Sequence, residues 1–526
     1  MVSGIRSSIA TVYAVLLALA AVPQLIAAAE LAKPEGVTRW NTEPYGKPAV
    51  LDQNQYIHNM QLHGYWPLVV RTSHSWTRIW DFEGHRYLFH YVGNRVNVYD
   101  VTDAKKLQVV LQKEYTDGTV FGAISIGWNE KLRKWIMVQS FSVPRVGPGA
   151  FDERKWVDPA LIEPHVNLPR FRGFRVFELL GPTDWRLLAE VSTDGGDPKR
   201  KVQGGSGVMD MITYFGGRYA VMAAAPDNSF NVQESANFYY APAQMIYDLE
   251  DPSHPRLVST WWVPGQRAGE GAAARKWPEF GDQLSWIGAR MSAELPVPLE
   301  QGGRYGYALM GALGLHVLDL KNPARPKSVG SVRTPKPGIP IVGYEGDNVD
   351  ATRVLSRGLV LMNGLADPGC EDTGQNGYPD IFITDVSNPR KPSILSALPR
   401  PPIPPGANFD AFCRRGGSPG PKRPTPFVSP GTADPNITFY AHGSSGVQMY
   451  DISDPRAPRS AGYFVPPMSW DADQVNDVNE YDRTVEAIQV EWDRKLVWAI
   501  SVNGIYLLSA PAWGVPNFGA PTFGSH

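Results

Sequence analysis

The stretch Val447-Gln-Met-Tyr-Asp451-Ile-Ser-Asp-Pro455-Arg-Ala-Pro458 decides the fold of this chain, because copies of it recur at a steady interval. In each clear copy an apolar strand ends in an acidic residue, and a turn bracketed by two prolines follows. The strand cores of the other clear copies are Gln244–Asp248, Leu315–Asp319 and Ile381–Asp385. Val96–Asp100 is a looser copy, and Phe174–Glu178 is a degenerate one. A repeat of fixed period indicates an architecture of stacked, equivalent units.

The interval between copies predicts the number of units. The acidic positions advance by 78, 70, 71, 66 and 66 residues, and a last strand at Gly504–Leu508 follows after a shorter interval. Short strands broken by Gly, Pro, Asn and Asp fill each unit, as in antiparallel sheets. Four-stranded units arranged radially form a β-propeller. The sequence therefore predicts an all-β propeller of seven blades, with six or eight left open because the unit at 174–193 is weak.

The acidic residue of the repeat has a structural interpretation. An Asp side chain accepts hydrogen bonds from backbone N–H groups just beyond it and so forms an Asx turn. Proline lacks the N–H that a strand ladder needs, so the strand ends there. We therefore interpret these acids as turn formers rather than catalytic groups.

The two ends of the repeat region indicate how the ring closes. The last unit lacks the Pro-x-x-Val outer strand that other units carry, as in Pro255–Val258, whereas Pro67-Leu-Val-Val70 near the start resembles it. The N-terminal segment is therefore predicted to complete the last blade. The predicted divisions are a signal peptide, an N-terminal segment with the closing strand, the propeller and a C-terminal tail, at 1–29, 30–74, 75–510 and 511–526.

The spacing and the Leu-x-Val-x-Asp core, clearest in Leu315-His-Val-Leu-Asp319, resemble the LVIVD repeat family of extracellular and envelope β-propellers. The resemblance covers most of residues 75–510. It implies a fold and a compartment outside the cytoplasm. It implies no reaction, because the family is defined by its repeat.

The N-terminus has the pattern of an export signal. Arg6 precedes an apolar stretch from Ala10 to Val22, and Ala27-Ala-Ala29 offers a small-residue cleavage site. We therefore expect a periplasmic or secreted protein with no membrane span after signal removal, and a retained N-terminal anchor is the alternative. The formal charge of −2, with no block of Lys or Arg, does not favour a nucleic-acid partner.

The chain has two cysteines, Cys370 and Cys413. Each lies in a long loop beside the strand that ends at Asp385. In an exported protein this arrangement favours a disulfide bond between them.

Carboxylates recur in the loops that lead into the predicted innermost strands. As ligand-binding residues we predict Asp282, Asp347, Asp350, Asp410 and Glu480. Carboxylates that converge on a narrow channel repel one another unless a cation lies among them. A Ca²⁺ or another divalent cation held by Asp347, Asp410, Asp477 and Glu480 is one hypothesis. The alternative is that these acids cap turns, with Arg290, Arg353 and Arg414 as partners.

Two functions remain open from the sequence. Long insertions at 143–169, 264–298 and 399–435 favour a non-enzymatic protein that binds a ligand or a protein partner at the channel mouth. The alternative is a hydrolase- or oxidoreductase-type enzyme with a metal at that mouth. No catalytic residue is predicted, and the strand histidines His316 and His442 are interpreted as packing residues.

Overall fold

The computed structural model describes most of the chain from residue 54 onward. The described residues are 54–67, 75–92, 95–114, 120–142, 173–192, 208–224, 243–264, 270, 293–310, 314–333, 346–350, 355–364, 380–410, 412, 420–421, 423–424, 429–467, 485–501, 504–521 and 523. Their regular structure is antiparallel strand, joined in places by 3-10 helices at Leu299–Gln301, Leu355–Arg357, Gly443–Ser445 and Pro511–Trp513.

Seven antiparallel sheets follow one another along the chain, and they are the blades of a β-propeller. From inner to outer strand, the first blade consists of β3 (Ser75–Phe82), β4 (His85–Val92), β5 (Arg95–Asp100) and β6 (Gln108–Glu114). The second consists of β7 (Val120–Asn129), β8 (Lys134–Ser142), β9 (Gly173–Leu179) and β10 (Trp185–Ser192). The third consists of β11 (Val208–Thr213), β12 (Tyr219–Ala224), β13 (Ala243–Asp248) and β14 (Arg256–Trp261). The prediction of an all-β, seven-bladed propeller is confirmed.

The remaining four blades continue the pattern with two local variations. The fourth blade consists of β15 (Tyr305–Leu309), β16 (Leu315–Asp319) and β17 (Lys327–Val332), and the fifth of β18 (Gly346–Asp350), β19 (Leu359–Gly364), β20 (Ile381–Asp385) and β21 (Ser393–Ala397). The sixth consists of β22 (Arg423–Pro424), β23 (Ile437–Ala441), β24 (Val447–Asp451) and β25 (Arg459–Val465). The seventh consists of β26 (Ala487–Glu491), β27 (Leu496–Ser501) and β28 (Gly504–Ser509) with an N-terminal strand. In the fourth blade, an isolated bridge between Glu294 and Tyr307 takes the place of a described inner strand. The first strands of neighbouring blades contact each other, which places them around the central axis.

The N-terminal segment closes the ring, as predicted, but with a different strand. β2 (Gln61–Trp66) pairs antiparallel with β28 and completes the seventh blade. The closing strand therefore ends before Pro67-Leu-Val-Val70, of which residues 68–70 lie outside the described residues. Trp66 is fully buried and packs on Trp498 at 5.7 Å between ring centroids, so it anchors the strand, and Pro67 cannot extend the ladder. The short strand β1 (Tyr56–His58) adds a fifth strand to the sixth blade, which the sequence did not predict.

Among the described residues, seven apolar clusters each lie between two neighbouring blades. Adjacent residues of one strand face different neighbours: Leu88 packs toward the seventh blade and Phe89 toward the second. A blade is therefore buried on both faces, which explains why its strands are apolar runs and not the alternating pattern of a half-exposed sheet.

Every blade contains the same β-bulge between its third and outer strands. On the third strand, the pairing shifts between the two residues that precede the position of the repeat acid. In the seven blades these residue pairs are Val98/Tyr99, Val176/Phe177, Ile246/Tyr247, Val317/Leu318, Ile383/Thr384, Met449/Tyr450 and Leu507/Leu508. The extra residue is on the outer strand, and in the fourth blade it is Val329, the last residue of the Pro-x-x-Val element. A bulge bends its strand and redirects a side chain. Val329 accordingly packs on the core between the fourth and fifth blades.

The acids of the repeat form turns, as predicted. One side-chain oxygen of each Asp accepts a hydrogen bond from the backbone N–H two residues later, at 2.9–3.0 Å, in the copies ending at Asp100, Asp248, Asp319, Asp385 and Asp451. Several of the other oxygens pair with a base, as Asp319 does with Arg304. The pKa of Asp319 is lowered by the hydrogen bond from Arg304.

The repeat turns also hold neighbouring blades together. The hydroxyl of Ser259, on the outer strand of the third blade, donates to the carbonyl of Pro323 in the turn of the fourth at 2.6 Å. Ser396 donates in the same way to Pro455 at 2.6 Å. At the seam between the fourth and fifth blades, the equivalent residue is Gly330, where a Cβ atom would lie 2.3 Å from the Pro389 oxygen. At this position the outer strand therefore carries a small residue, because the turn of the next blade lies against it.

The seam between the seventh and first blades contains a buried charge network. Glu491 is fully buried and accepts hydrogen bonds from Arg494, Arg86 and the indole N–H of Trp498. Arg86 also donates to Asp81 at 2.7 and 2.8 Å. Burial opposes the charge of Glu491, but the hydrogen bond and charge of Arg494 and the charge of Arg86 outweigh it and lower its pKa.

Candidate functional site

The predicted channel-mouth carboxylates fall in different parts of the fifth blade. Asp347 and Asp350 belong to β18, the innermost strand, where Asp350 pairs with Leu361 of β19. The side chains of β18 lie outside the described residues. Asp410 is exposed in the connection after β21. Asp347 and Asp350 therefore lie within an innermost strand and not in the loop before it, and the convergence of the three carboxylates stays a prediction.

The other predicted site residues lie outside the described residues. They are Asp282, Asp477 and Glu480, the arginines Arg290, Arg353 and Arg414, and both cysteines, Cys370 and Cys413. The predicted cation site and the predicted disulfide therefore stay predictions. Among the residues that the structure does describe, no three His, Cys, Asp or Glu side chains are grouped closely enough to hold a metal ion.

Buried polar side chains on inner and third strands join one blade to the next. Gln489 of β26 donates to the backbone and hydroxyl oxygens of Thr77 on β3, at 2.9 and 3.1 Å. Ser125 of β7 donates to the carbonyl of Tyr214 at 2.7 Å, and the amide of Ala293 donates to the side chain of Gln244. Sequence reasoning missed these residues, although a single polar residue within an apolar strand is the signal. Their contacts are structural, because both partners belong to the scaffold.

The strand histidines are packing residues, as interpreted from the sequence. His316 lies 3.1 Å from the Ser328 hydroxyl and packs on Trp261, and His442 lies 3.2 Å from the Tyr450 hydroxyl. His90 and His442 are completely buried, and burial lowers the pKa of each to about 3. Both imidazoles are therefore neutral at physiological pH.

The two faces of the propeller differ in the length of their connections. On one face begin and end the connections from second to third strands and from outer strands to the next blade, which include 143–172, 193–207, 225–242, 262–292, 365–379, 398–422 and 466–486. We call this the long-connection face. On the opposite face, short turns join third to outer strands, at 101–107, 249–255, 320–326, 386–392 and 452–458. We call this the turn face.

The three insertions singled out in the sequence all start from the long-connection face, at the ends of β8, β14 and β21. The described part of the third insertion is seated on the scaffold. Phe409 and Phe412 are buried against Tyr463 and Val465 of the sixth blade. The proline-rich segment at 399–405 leads into this packed contact with β25 and β1.

Among the described residues, no helix is both long and apolar enough to cross a membrane.

No protein-family model matches the chain, and no curated protein sequence matches it. Solved structures with a similar fold include Sqt1 of Saccharomyces cerevisiae, at 9% identity and a TM-score of 0.43 over 86% of this chain and 98% of that one. Another is the Cps50 (Swd1) β-propeller domain of Myceliophthora thermophila, at 10% identity and a TM-score of 0.42 over 87% and 99%. A chain of the mitotic checkpoint complex matches at 8% identity and a TM-score of 0.43 over 86% and 95%. The propeller assignment itself rests on the strand topology.

Proposed function

We propose that the chain is an exported β-propeller that binds a ligand or a protein partner on its long-connection face, around the channel mouth. The observation that supports this is the asymmetry of the two faces. The scaffold needs only short connections, since 93–94 and 502–503 suffice between second and third strands in the first and seventh blades. The long connections on the same face therefore serve something other than closing a sheet.

The strand register provides a direct test. Three long connections join paired strand ends: Phe141 pairs with Gly173, Ala224 with Ala243, and Asn363 with Ile381. Each connection can be replaced by Asn-Gly, which suits a two-residue hairpin turn. The control variant, Lys131→Ser, changes an exposed side chain on the turn face. Partners would be captured by crosslinking in the host, with the crosslinked residues identified by mass spectrometry.

We expect crosslinks to map to the long-connection face, and the yield of the captured partner to fall when the three connections are shortened. The Lys131→Ser variant should retain the yield. An unchanged yield with all three connections shortened, in protein that melts normally, would contradict the proposal.

Export is part of the proposal and has its own test. The resemblance to the LVIVD family and the pattern of Arg6, Ala10–Val22 and Ala27–Ala29 support it. We expect the protein recovered outside the cytoplasm to begin at Glu30. An intact N-terminus on cytoplasmic protein would refute this part of the proposal without touching the binding face.

The metal-dependent enzyme remains a second prediction, carried by the placement of Asp347 and Asp350 on an innermost strand. Elemental analysis of purified protein before and after chelation would test it. A stoichiometric divalent cation whose removal lowers the melting temperature would favour it.

A further inference from the structure

Five exposed basic side chains that form no ion pair with a described residue lie within or just after the two prolines of the turns of the fourth, fifth and sixth blades, and the exposed Lys321 precedes the prolines of the fourth. The five are Arg325, Lys327, Arg390, Lys391 and Arg456, and together we call them the basic arc. Their positions follow the repeat.

The three turns of the basic arc are continuous through the seams between blades. Gly330, on the strand that begins with Lys327, lies against the backbone of Pro389 and Arg390 in the next turn. Ser396 is hydrogen-bonded to Pro455, which directly precedes Arg456. The cations of one turn are therefore followed, on the neighbouring blade, by those of the next.

The turns are also rigid supports for these cations. Side-chain oxygens of Asn388 and Asp454 accept the backbone N–H groups of Arg390 and Arg456 at 3.1 and 2.9 Å. Such Asx turns and the flanking prolines fix the backbone, so little ordering is needed on binding. Asp454 is the one acid within these turn segments, and one of its two oxygens accepts this bond.

The other half of the turn face is electrically different. There the turns also contain exposed acids, and several bases pair with them, as Lys106 does with Asp103 at 3.2 Å and His254 with Asp251 at 2.8 Å. Lys131 of the second blade pairs with Glu250 of the third at 2.6 Å. In this half Lys105 and Arg133 also form no ion pair with a described residue, but their turns contain the exposed acids Asp103 and Glu130, whereas the turns of the fourth to sixth blades together contain more cations than acids.

We propose that the basic arc docks an acidic polypeptide segment that runs along the turns of the fourth to sixth blades. Complementary charge steers such a segment and fixes its register, and arginine can bind carboxylates in a bidentate manner. A flat anionic membrane would approach the whole face. It would then be repelled by exposed acids of the first three blades, which include Glu83, Asp103, Glu130 and Asp251. A chain that follows only the arc avoids them.

The test measures binding of a fluorescent oligoglutamate peptide to the full-length mature protein, with oligoglutamine as the neutral probe. The arc variant is Arg390→Glu with Lys391→Glu. The matched control, Lys106→Glu with Lys131→Glu, makes the same change in formal charge on the other half of the face. Arg390→Gln with Lys391→Gln removes the cations without adding repulsion. Melting curves confirm that each variant is folded, and vesicles with phosphatidylglycerol are tested in parallel.

We expect salt-sensitive binding of oligoglutamate that weakens about tenfold or more in the arc variant and by less than about twofold in the control. The glutamine variant should be intermediate. Equal weakening in arc and control variants would mean that only net charge matters, and would overturn the proposal. It would also be overturned by no peptide binding at low salt, or by binding of vesicles but not of peptide. These outcomes concern the turn face, so they are independent of the proposed function of the opposite face.

Discussion

The seam that closes the ring and the seams between the repeat blades are built from different interactions. Between the fifth and sixth blades, Arg357 donates to the carbonyls of Ile452 and Ser453 at 2.8 and 2.9 Å. Between the seventh and first blades, Arg494 donates to the equivalent carbonyls, those of Val101 and Thr102, at 2.9 and 2.8 Å. The first arginine is half-buried, whereas the second is fully buried and bound to Glu491.

The closing seam also involves both ends of the described chain. The closing strand carries His63, whose ring lies 4.7 Å from that of Phe518 in the C-terminal tail. The amide of Ala104 donates to the carbonyl of Phe518, and the amide of Asn517 to that of Arg494. A repeat seam is thus formed by contacts to the repeat turn of the next blade. The closing seam has the same contact and adds buried charges and segments from outside the repeat.

Removal of the closing strand is the test of this difference with the largest expected effect on stability. Deletion of residues 54–66 removes β1 and β2, including the buried Trp66. Loss of a fully buried Trp side chain alone costs about 3–5 kcal/mol, so we expect the cooperative thermal transition to shift strongly downward or to vanish. Circular dichroism during heating measures this. A melting temperature equal to that of the intact chain would show that β2 does not close the ring.

The next test removes the acid at the centre of the closing seam. Glu491→Ala leaves Arg86 and Arg494 buried without their shared partner, which costs about 3–5 kcal/mol. The control is Asp451→Asn, which loses the exposed ion pair with Arg459 but keeps an oxygen for the Asx turn; its expected cost is below about 1 kcal/mol. Urea denaturation compares the two. Equal costs would mean that the buried network does not distinguish the seams.

A pH titration separates the buried histidines from this network. The folded-state pKa of His90 and of His442 is about 3, below the usual 6.5. The unfolded chain therefore binds more protons than the folded chain between these values, and stability falls as the pH drops from 6.5 toward 3. The expected slope is about 1.4 kcal/mol per pH unit for each histidine. His442→Gln should remove one histidine's share, as measured by urea denaturation at several pH values; an unchanged slope would contradict the neutral buried histidine.

The smallest expected effects are at a repeat seam. Ser396→Ala removes the hydrogen bond to Pro455, which we expect to cost about 0.5–1.5 kcal/mol. Gly330→Ala places a methyl group against the Pro389 carbonyl, and overpacking of this kind costs about 1–3 kcal/mol. Thermal melting of both variants gives the comparison. If Gly330→Ala were neutral, the close contact between these blades would not be required.

The sequence predicted the features that repeat. The strand-ending acid and the proline-bracketed turn are local signals, so Asp100, Asp248, Asp319, Asp385 and Asp451 could all be assigned to turns without a structure. The blade number followed from the spacing. The closing strand was assigned to the correct segment but the wrong residues, because Pro67–Val70 matches the apolar pattern while the burial of Trp66 determines the pairing.

What could not be predicted depends on contacts between distant residues. Glu491, Arg494 and Arg86 lie in turns or strands that look ordinary in sequence, and they meet only when the first and seventh blades come together. The basic arc has the same origin, since Lys327, Arg390 and Arg456 are far apart along the chain. Of the predicted site residues, Asp347 and Asp350 lie on an innermost strand, and the other carboxylates belong to connections for which the repeat sets no pattern.

The N-terminal strands impose an order in time on the making of this protein. β1 and β2 leave the ribosome first, but their partners β25 and β28 leave last; Asn59 and its hydrogen-bond partner Ala461 are 402 residues apart. At about 5–20 residues per second, synthesis of the intervening chain takes roughly 20 to 80 s. For that period β1 and β2 have no partner strands. The ring can therefore be completed only when nearly the whole polypeptide is present in one compartment.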